Sequence, residues 1–170
     1  MLIRKAEKRD LQDLLDIYNY EVENGVATFD LHPKTIEQWE TWFSLHNIEN
    51  HPLIVAEADG KAVGYASLSS YREKEAYRAT VELSLYVAPD YRRRGIATEL
   101  MAAILERAKE DDSVHTVVSV ITGSNEASII LHERFGFSFC GRIHEVGVKF
   151  GQYLDIANYE LQVGGKHGEV

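Results

Sequence analysis

The sequence predicts a mixed α/β (α+β) domain, one sheet carrying helices on both faces. Three observations predict it. Runs rich in β-branched and aromatic residues cluster in the middle and at the end of the chain. Stretches of helical period fall between them, so the elements read β-α-α-β-β-β-α-β-α-β-β. No internal repeat or low-complexity linker divides the chain, so residues 1–163 read as one domain and 164–170 as a flexible tail. The alternation is too irregular for a doubly wound nucleotide fold.

The elements follow in order. "LIRKA" is a short first strand. Over 8–22, Leu11, Leu14, Leu15, Tyr18 and Val22 keep the i, i+3, i+4, i+7 spacing of an amphipathic helix, with Asp10 as its expected N-cap. "ENGVATFDLHP" has no period and is a loop. Residues 34–45 form a second helix with Ile36, Trp39, Trp42 and Phe43 on one side. "PLIVAEADGKAVGYASL" is strand, turn, strand, with Asp59-Gly60 at the turn. A further strand covers 76–88 and stops at Pro89. From Gly95, Ile96, Leu100, Met101, Ile104, Leu105 and Ala108 repeat as a helix. "HTVVSVIT" is a strand, and "SNEASIILHERFG" a short helix capped at Ser124 or Asn125 and stopped by Gly136. Residues 137–151 and 153–163 close the sheet as a strand pair.

Composition sets bounds. The 170 residues are 45% hydrophobic and 26% charged, values of an ordinary globular domain. No apolar run approaches the roughly 20 residues of a membrane span, and the first ten residues have no apolar leader core. The net charge of −9 argues against a nucleic-acid partner. The one cysteine, Cys140, excludes an internal disulfide framework, fits a cytoplasmic protein, and reads as a small buried hydrophobe. The seven histidines show no zinc spacing, so no metal is expected.

Against that acidity, "APDYRRRGIATEL" puts three arginines and a glycine at a helix start. The first N–H groups of a helix lack intrahelical partners and carry the positive end of its dipole, so they can hold a phosphate. Gly95 removes a Cβ from the approach, and arginines add charge-assisted bonds. The stretch is neither a P-loop nor a dinucleotide fingerprint. By itself it also suits a solvated loop.

"YVAPDYRRRGIATELM" resembles the acyl-CoA signature of the GCN5-related N-acetyltransferase (GNAT) superfamily, with Arg92, Gly95 and Ala97 at the pattern positions. With "DIYNYEV", "ATFD", "AYRATVELSLYV", "SNEASIILHERFGF" and "GVKFGQYLD", the chain is similar to the phosphinothricin and methionine sulfoximine acetyltransferase branch from about Leu2 to Leu161. The resemblance implies a mostly antiparallel sheet, with a cleft for acetyl-CoA where the fourth strand splays from the fifth. It implies pantetheine along Leu85, Tyr86 and Val87. Pyrophosphate would sit on Arg92, Arg93, Arg94, Gly95, Ile96 and Ala97, and Asn125 and Ser128 would contact the cofactor. Asn125 and Ser128 also suit helix capping.

Acetylating an amine needs the free base, because an amino group with a pKa near 8 is mostly protonated at neutral pH. Glu82 is the candidate general base, a charge inside the apolar run "TVELSLYV". Period-2 alternation alone would turn it to solvent, and the resemblance favours catalysis. His132 is expected to bind cofactor or to act as an auxiliary acid or base. For the substrate, Arg72 is the first choice to meet a carboxylate, with Lys74 or Arg78 as alternatives. Phe29 and Tyr77 would form an aromatic wall, and Lys149 and Tyr153 a rim; each equally suits core or surface. The implied activity is acetylation of the α-amine of a small amino acid or analogue. A polyamine or protein N-terminus, or a non-catalytic acyl-CoA-binding module, are the alternatives. A homodimer is expected.

Overall fold

The computed structural model describes residues 1–164. The strands are β1 (Leu2–Lys5), β2 (Leu53–Ala58), β3 (Lys61–Ser70), β4 (Thr80–Val87), β5 (Thr116–Thr122), β6 (Ser138–Lys149) and β7 (Gln152–Gln162). The helices are α1 (Leu11–Asn24), α2 (Ile36–Ser44), α3 (Ile96–Glu110) and α4 (Glu126–Arg134). The strands form one sheet in the order β1-β2-β3-β4-β5-β7-β6. Every pairing is antiparallel except β4 with β5. The predicted element order and fold class are those observed.

Alternation along the strands divides the core between the two faces. On one face, Leu100, Met101 and Ile104 of α3 pack on Val81, Leu83 and Val117, with Ile129 of α4 against the same cluster. On the other, Leu14 and Leu15 of α1 and Trp39 of α2 pack on Leu53, Val55 and Tyr65. Gly64 lets α3 come close: a Cβ there would sit 3.1 Å from Leu100 Cδ1 and 3.3 Å from Ile96 Cγ2. That contact seats the first turn of α3 on β3. The Asp59-Gly60 turn has φ of 52° and 78°, as a hairpin of this length requires. No helix among the described residues is long and apolar enough to cross a membrane.

Three expectations are corrected. Asp10 makes no cap bond to α1 and sits in helical conformation. The chain coils one turn earlier, at Lys8–Asp10, where Asp10 accepts the Glu7 N–H and is held by Arg4. The strand expected over 76–88 starts at Thr80, because Glu75–Tyr77 form a 3-10 turn. The register pairs Ser70 with Val81, so the residues between must reverse the chain. Cys140 is exposed, because β6 is an edge strand and Cys140 lies where its register shifts. Of the expected tail, the Gly164 N–H bonds the His115 carbonyl at 3.2 Å; residues 165–170 lie outside the described residues.

Candidate active site

β4 and β5 pair at three positions: Thr80 with Thr116, Val81 with Val117, and Glu82 with Val118. Beyond Glu82 they part, although β4 stays paired with β3 as far as Val87 and β5 with β7 as far as Thr122. A cavity of about 550 Å³ occupies the gap. The Ala88 N–H bond to the Val63 carbonyl sets the phase of the β3–β4 ladder. Residues bonded to β3 alternate from there, so Tyr86 and Ser84 turn their peptide groups to β3. Leu85 and Val87 turn theirs into the gap, and the Val87 carbonyl accepts from Arg92 Nε at 3.2 Å. Of the three backbones expected to meet pantetheine, Tyr86 turns its peptide group to β3, and its ring packs with Tyr18 and Tyr65.

The far end of the cleft is the start of α3. Gly95 takes φ +80°, and no side chain caps the helix, so its first N–H groups face the cavity uncovered. The three arginines part company. Arg93, itself at φ +61°, lines the cavity. Arg92 also lines it, but its guanidinium is ion-paired with Glu21 near the end of α1. Arg94 lies over the Tyr91 ring, 5.0 Å from its centroid, and is not among the lining residues.

The β5 and α4 side supplies Ser119, Asn125, Ser128 and His132. Asn125 Oδ1 accepts the Ser128 N–H at 3.2 Å, so it is the α4 cap as well as a wall of the cleft. His132 is buried, which pushes its pKa down and keeps the ring neutral. The Ser128 carbonyl can only accept, so His132 Nδ1 donates to it at 2.7 Å. Nε2 then accepts from the Ser119 hydroxyl at 2.8 Å. Both ring nitrogens are engaged. His132, expected to bind cofactor or to act as an auxiliary acid or base, lines the cleft with its Nδ1–H given to the Ser128 carbonyl and its Nε2 held by the Ser119 hydroxyl.

Glu82 occupies the last paired position before the gap and is half-buried. Burial raises its pKa above the ordinary carboxylate value. Its side chain makes no hydrogen bond or ion pair among the described residues, and it lines neither the cleft cavity nor the one under helices α1 and α2. Ser84 and Tyr86 follow it on the same face of β4. These two residues also line a second cavity, of about 490 Å³, between the sheet and helices α1 and α2. Its aromatic walls are stacked: Tyr18 on Trp39 at 4.6 Å and Trp39 on Trp42 at 4.3 Å between centroids. Asp30 accepts from the Tyr18 hydroxyl and pairs with Lys34 at 3.5 Å.

The residues expected to bind substrate lie outside these two cavities. Phe29, Arg72, Lys74, Tyr77 and Lys149 line neither cavity. Arg72 is exposed and lies over the Tyr71 and Tyr77 rings, at 5.0 and 5.8 Å; Lys74 and Arg78 are exposed beside it. Lys149 is buried and donates to the Thr28 carbonyl at 2.9 Å and the Glu21 carbonyl at 3.4 Å. The Glu21 carbonyl lies in the last turn of α1, where a cation is well placed for the helix dipole. Phe29 packs on Gly147, where a Cβ would fall 2.4 Å from its ring. Lys149 and Phe29 thus fasten the β6–β7 hairpin to the loop after α1. Tyr153 is exposed. The residues missed from sequence are Ser84, Ser119, Tyr18, Tyr65, Asp30 and Lys34. Only Ser84 had a signal, its period-2 alignment with Glu82.

A gap between strands with outward peptide groups, ending at an uncapped helix start beside arginine, fits an extended amide-bearing chain with a phosphate end. Acetyl-CoA has that form. The family model described as the acetyltransferase (GNAT) family matches residues 11–137. The chain is 38% identical to an L-methionine sulfoximine/L-methionine sulfone acetyltransferase of Pseudomonas aeruginosa, over 95% of this chain and 94% of that one. It is 40% identical to a phosphinothricin N-acetyltransferase of Streptomyces coelicolor, over 93% and 94%. The crystal structure of a GNAT superfamily phosphinothricin acetyltransferase from Sinorhizobium meliloti, in complex with acetyl-CoA, superposes with a TM-score of 0.92 at 33% identity, covering 96% of this chain and 88% of that one.

Proposed function

The chain belongs to the GNAT acetyltransferase family, and we propose that it acetylates the α-amine of a small amino acid or analogue, with Glu82 as general base. It is an acetyl-CoA-dependent acyltransferase related to methionine sulfoximine and phosphinothricin N-acetyltransferases. Those relatives favour phosphinothricin, methionine sulfoximine and methionine sulfone as acceptors.

The observation that carries the reading is Glu82, a half-buried carboxylate with no side-chain partner among the described residues, at the last β4–β5 pairing before the strands part, although it lines neither cavity. Its raised pKa makes it a stronger base than an exposed carboxylate. It takes the proton from the acceptor ammonium. Acetyl-CoA supplies the acetyl thioester. The peptide N–H groups of Leu85 and Val87 face the gap before any ligand arrives, so they can stabilise developing negative charge without reorganising. The start of α3, with Arg93, holds the diphosphate end. Arg92 supports it from its pair with Glu21. Asn125 and Ser128 border the middle of the cleft, and His132 acts through Ser119. Residues 1–163 act as one domain.

Thiol release from acetyl-CoA tests this against phosphinothricin, methionine sulfoximine, methionine sulfone, ordinary amino acids, a polyamine and a short peptide. Release is expected with the first three. Release with the polyamine or peptide alone would overturn the substrate class. CoA binding with no turnover on any acceptor would mean a binding module.

The same reading makes the protein a cytoplasmic homodimer with no nucleic-acid or membrane partner, in keeping with its net charge of −9 and single cysteine. Edge strand β6 supports the dimer, because Phe139, Ile143, Val146 and Val148 are exposed along it. An exposed apolar edge strand invites pairing. Sedimentation equilibrium is expected to return about twice the 19.3 kDa chain mass, and Ile143→Asp the single mass. A wild-type monomer would remove the dimer.

A further inference from the structure

The second cavity contains two tyrosine hydroxyls that have no hydrogen-bond partner among the described residues. Tyr65 and Tyr86 both line it, with ring centroids 5.5 Å apart. They sit opposite each other in the β3–β4 register, so their side chains leave the sheet on one face. Tyr65 is 1% exposed. Neither hydroxyl has a hydrogen bond among the described residues, yet neither is sealed off. The buried side-chain polar atom that is sealed and without a partner there is Trp39 Nε1. The little surface Tyr65 keeps is therefore at its hydroxyl, which opens to the cavity. The third tyrosine, Tyr18, is already spent, bonded to Asp30 and to Thr28.

Tyr65 is buried and Tyr86 half-buried, so two hydroxyls open to one cavity are placed to donate to a ligand that enters it. Ser84 and Tyr86 border both the cavity and the cleft, and they lie on the face of β4 that carries Glu82. An acceptor whose amine lies at Glu82 would send its side chain along this face, past Ser84 toward the tyrosines. Burial raises both phenol pKa values, so both hydroxyls stay protonated and able to donate.

We infer that Tyr65 and Tyr86 are specificity-determining residues, whose hydroxyls donate to an oxygen on a tetrahedral side-chain centre of the acceptor and select it over the corresponding thioether. This rests on the amino acid reading above. A site that donates to a substrate oxygen discriminates strongly against an analogue without one, because the donors are then left unpaired. A purely apolar cavity would favour the thioether instead.

The test is Tyr65→Phe, which keeps the ring and removes only the hydroxyl, with Tyr86→Phe as the second variant. The quantity read is the ratio of kcat/KM for methionine sulfone to that for methionine. Each variant is expected to lower this ratio about tenfold, the worth of one hydrogen bond at about 1.4 kcal/mol. An unchanged ratio in both variants overturns the inference and leaves the proposed function standing. Titration calorimetry of the CoA-loaded protein with the same two ligands separates the two claims. If no amino acid is acetylated but the sulfone binds the wild type and not Tyr65→Phe, the inference stands and the proposed function falls. If the sulfone does not bind the wild type, the inference falls.

Discussion

Glu82→Gln is expected to lower acetyl transfer by a factor of about 10²–10⁴, the usual contribution of a positioned general base. Glutamine keeps the size and polarity of the side chain and cannot take a proton. The parent's kcat/KM should rise with pH through the elevated pKa of Glu82, because only the carboxylate accepts the proton. The variant should lose that rise. Stability should move the other way. Burial holds the folded-state pKa above the unfolded value, so the contribution of Glu82 is fully present below the unfolded pKa and is lost as pH rises through the folded one. Glutamine has no charge to desolvate. The variant should therefore melt above the parent at pH 8, and the gap should close as pH falls through the folded-state pKa. Initial rates and circular-dichroism melts across pH 4–9 check both arms. Transfer within threefold of the parent would remove Glu82 as the base. A variant less stable than the parent at pH 8 would contradict the desolvation account.

Arg4→Met is expected to cost about 3–5 kcal/mol, a large share of the roughly 5–15 kcal/mol that holds a domain together. Arg4 Nη1 and Nη2 donate to the two Asp10 oxygens, each at 2.8 Å, and Nε donates to Glu57 at 2.6 Å. Asp10 is 2% exposed. Burial pushes its carboxyl pKa up, but the Arg4 fork and the Glu7 N–H outweigh it and hold the value low. The pair ties β1 to the start of α1. Without Arg4, Asp10 is a buried charge that has lost its cation. In the parent, the stability due to Asp10 is present above the ordinary carboxylate pKa and is lost as pH falls through the depressed one. In the variant the folded-state carboxyl pKa rises, so the penalty should shrink in acid. Arg4→Lys should recover only part of the loss, because an ammonium cannot make the two-pronged contact. Urea melts at pH 7 and pH 4 measure this. A loss under 1 kcal/mol at pH 7 would mean that solvent already screens the pair. Transfer per folded molecule should not change, since Arg4 lines neither cavity.

Much of the architecture is legible in the sequence because it is set locally. The period of Leu11, Leu14, Leu15 and Tyr18 needs only the helix's own geometry, and so does the turn at Asp59-Gly60. Gly95 and the arginines before it stand out against an acidic chain, and Glu82 stands out inside an apolar strand. The errors arise where a distant partner decides. Asp10 suits a cap, but Arg4 six residues earlier takes its oxygens. Cys140 suits a core, but its strand lies at the sheet edge. The place of Arg72, over Tyr71 and Tyr77 and outside both cavities, is set by folding rather than by any local pattern.

By itself, then, the sequence determined the order of strands and helices, the helix start at Gly95 and the isolated charge at Glu82. Each follows from backbone periodicity, chain stiffness or a mismatch of charge within a few residues. Only the tertiary structure decided that Leu85 and Val87, rather than Tyr86, offer their peptide groups to the gap; that follows from the phase of pairing with β3. It alone decided that Tyr65 from β3 and Tyr86 from β4 share a cavity walled by α1 and α2. The reason is physical. Local preference fixes what each segment becomes, whereas strand register and helix docking fix which distant side chains meet, and a binding cavity is made of such meetings.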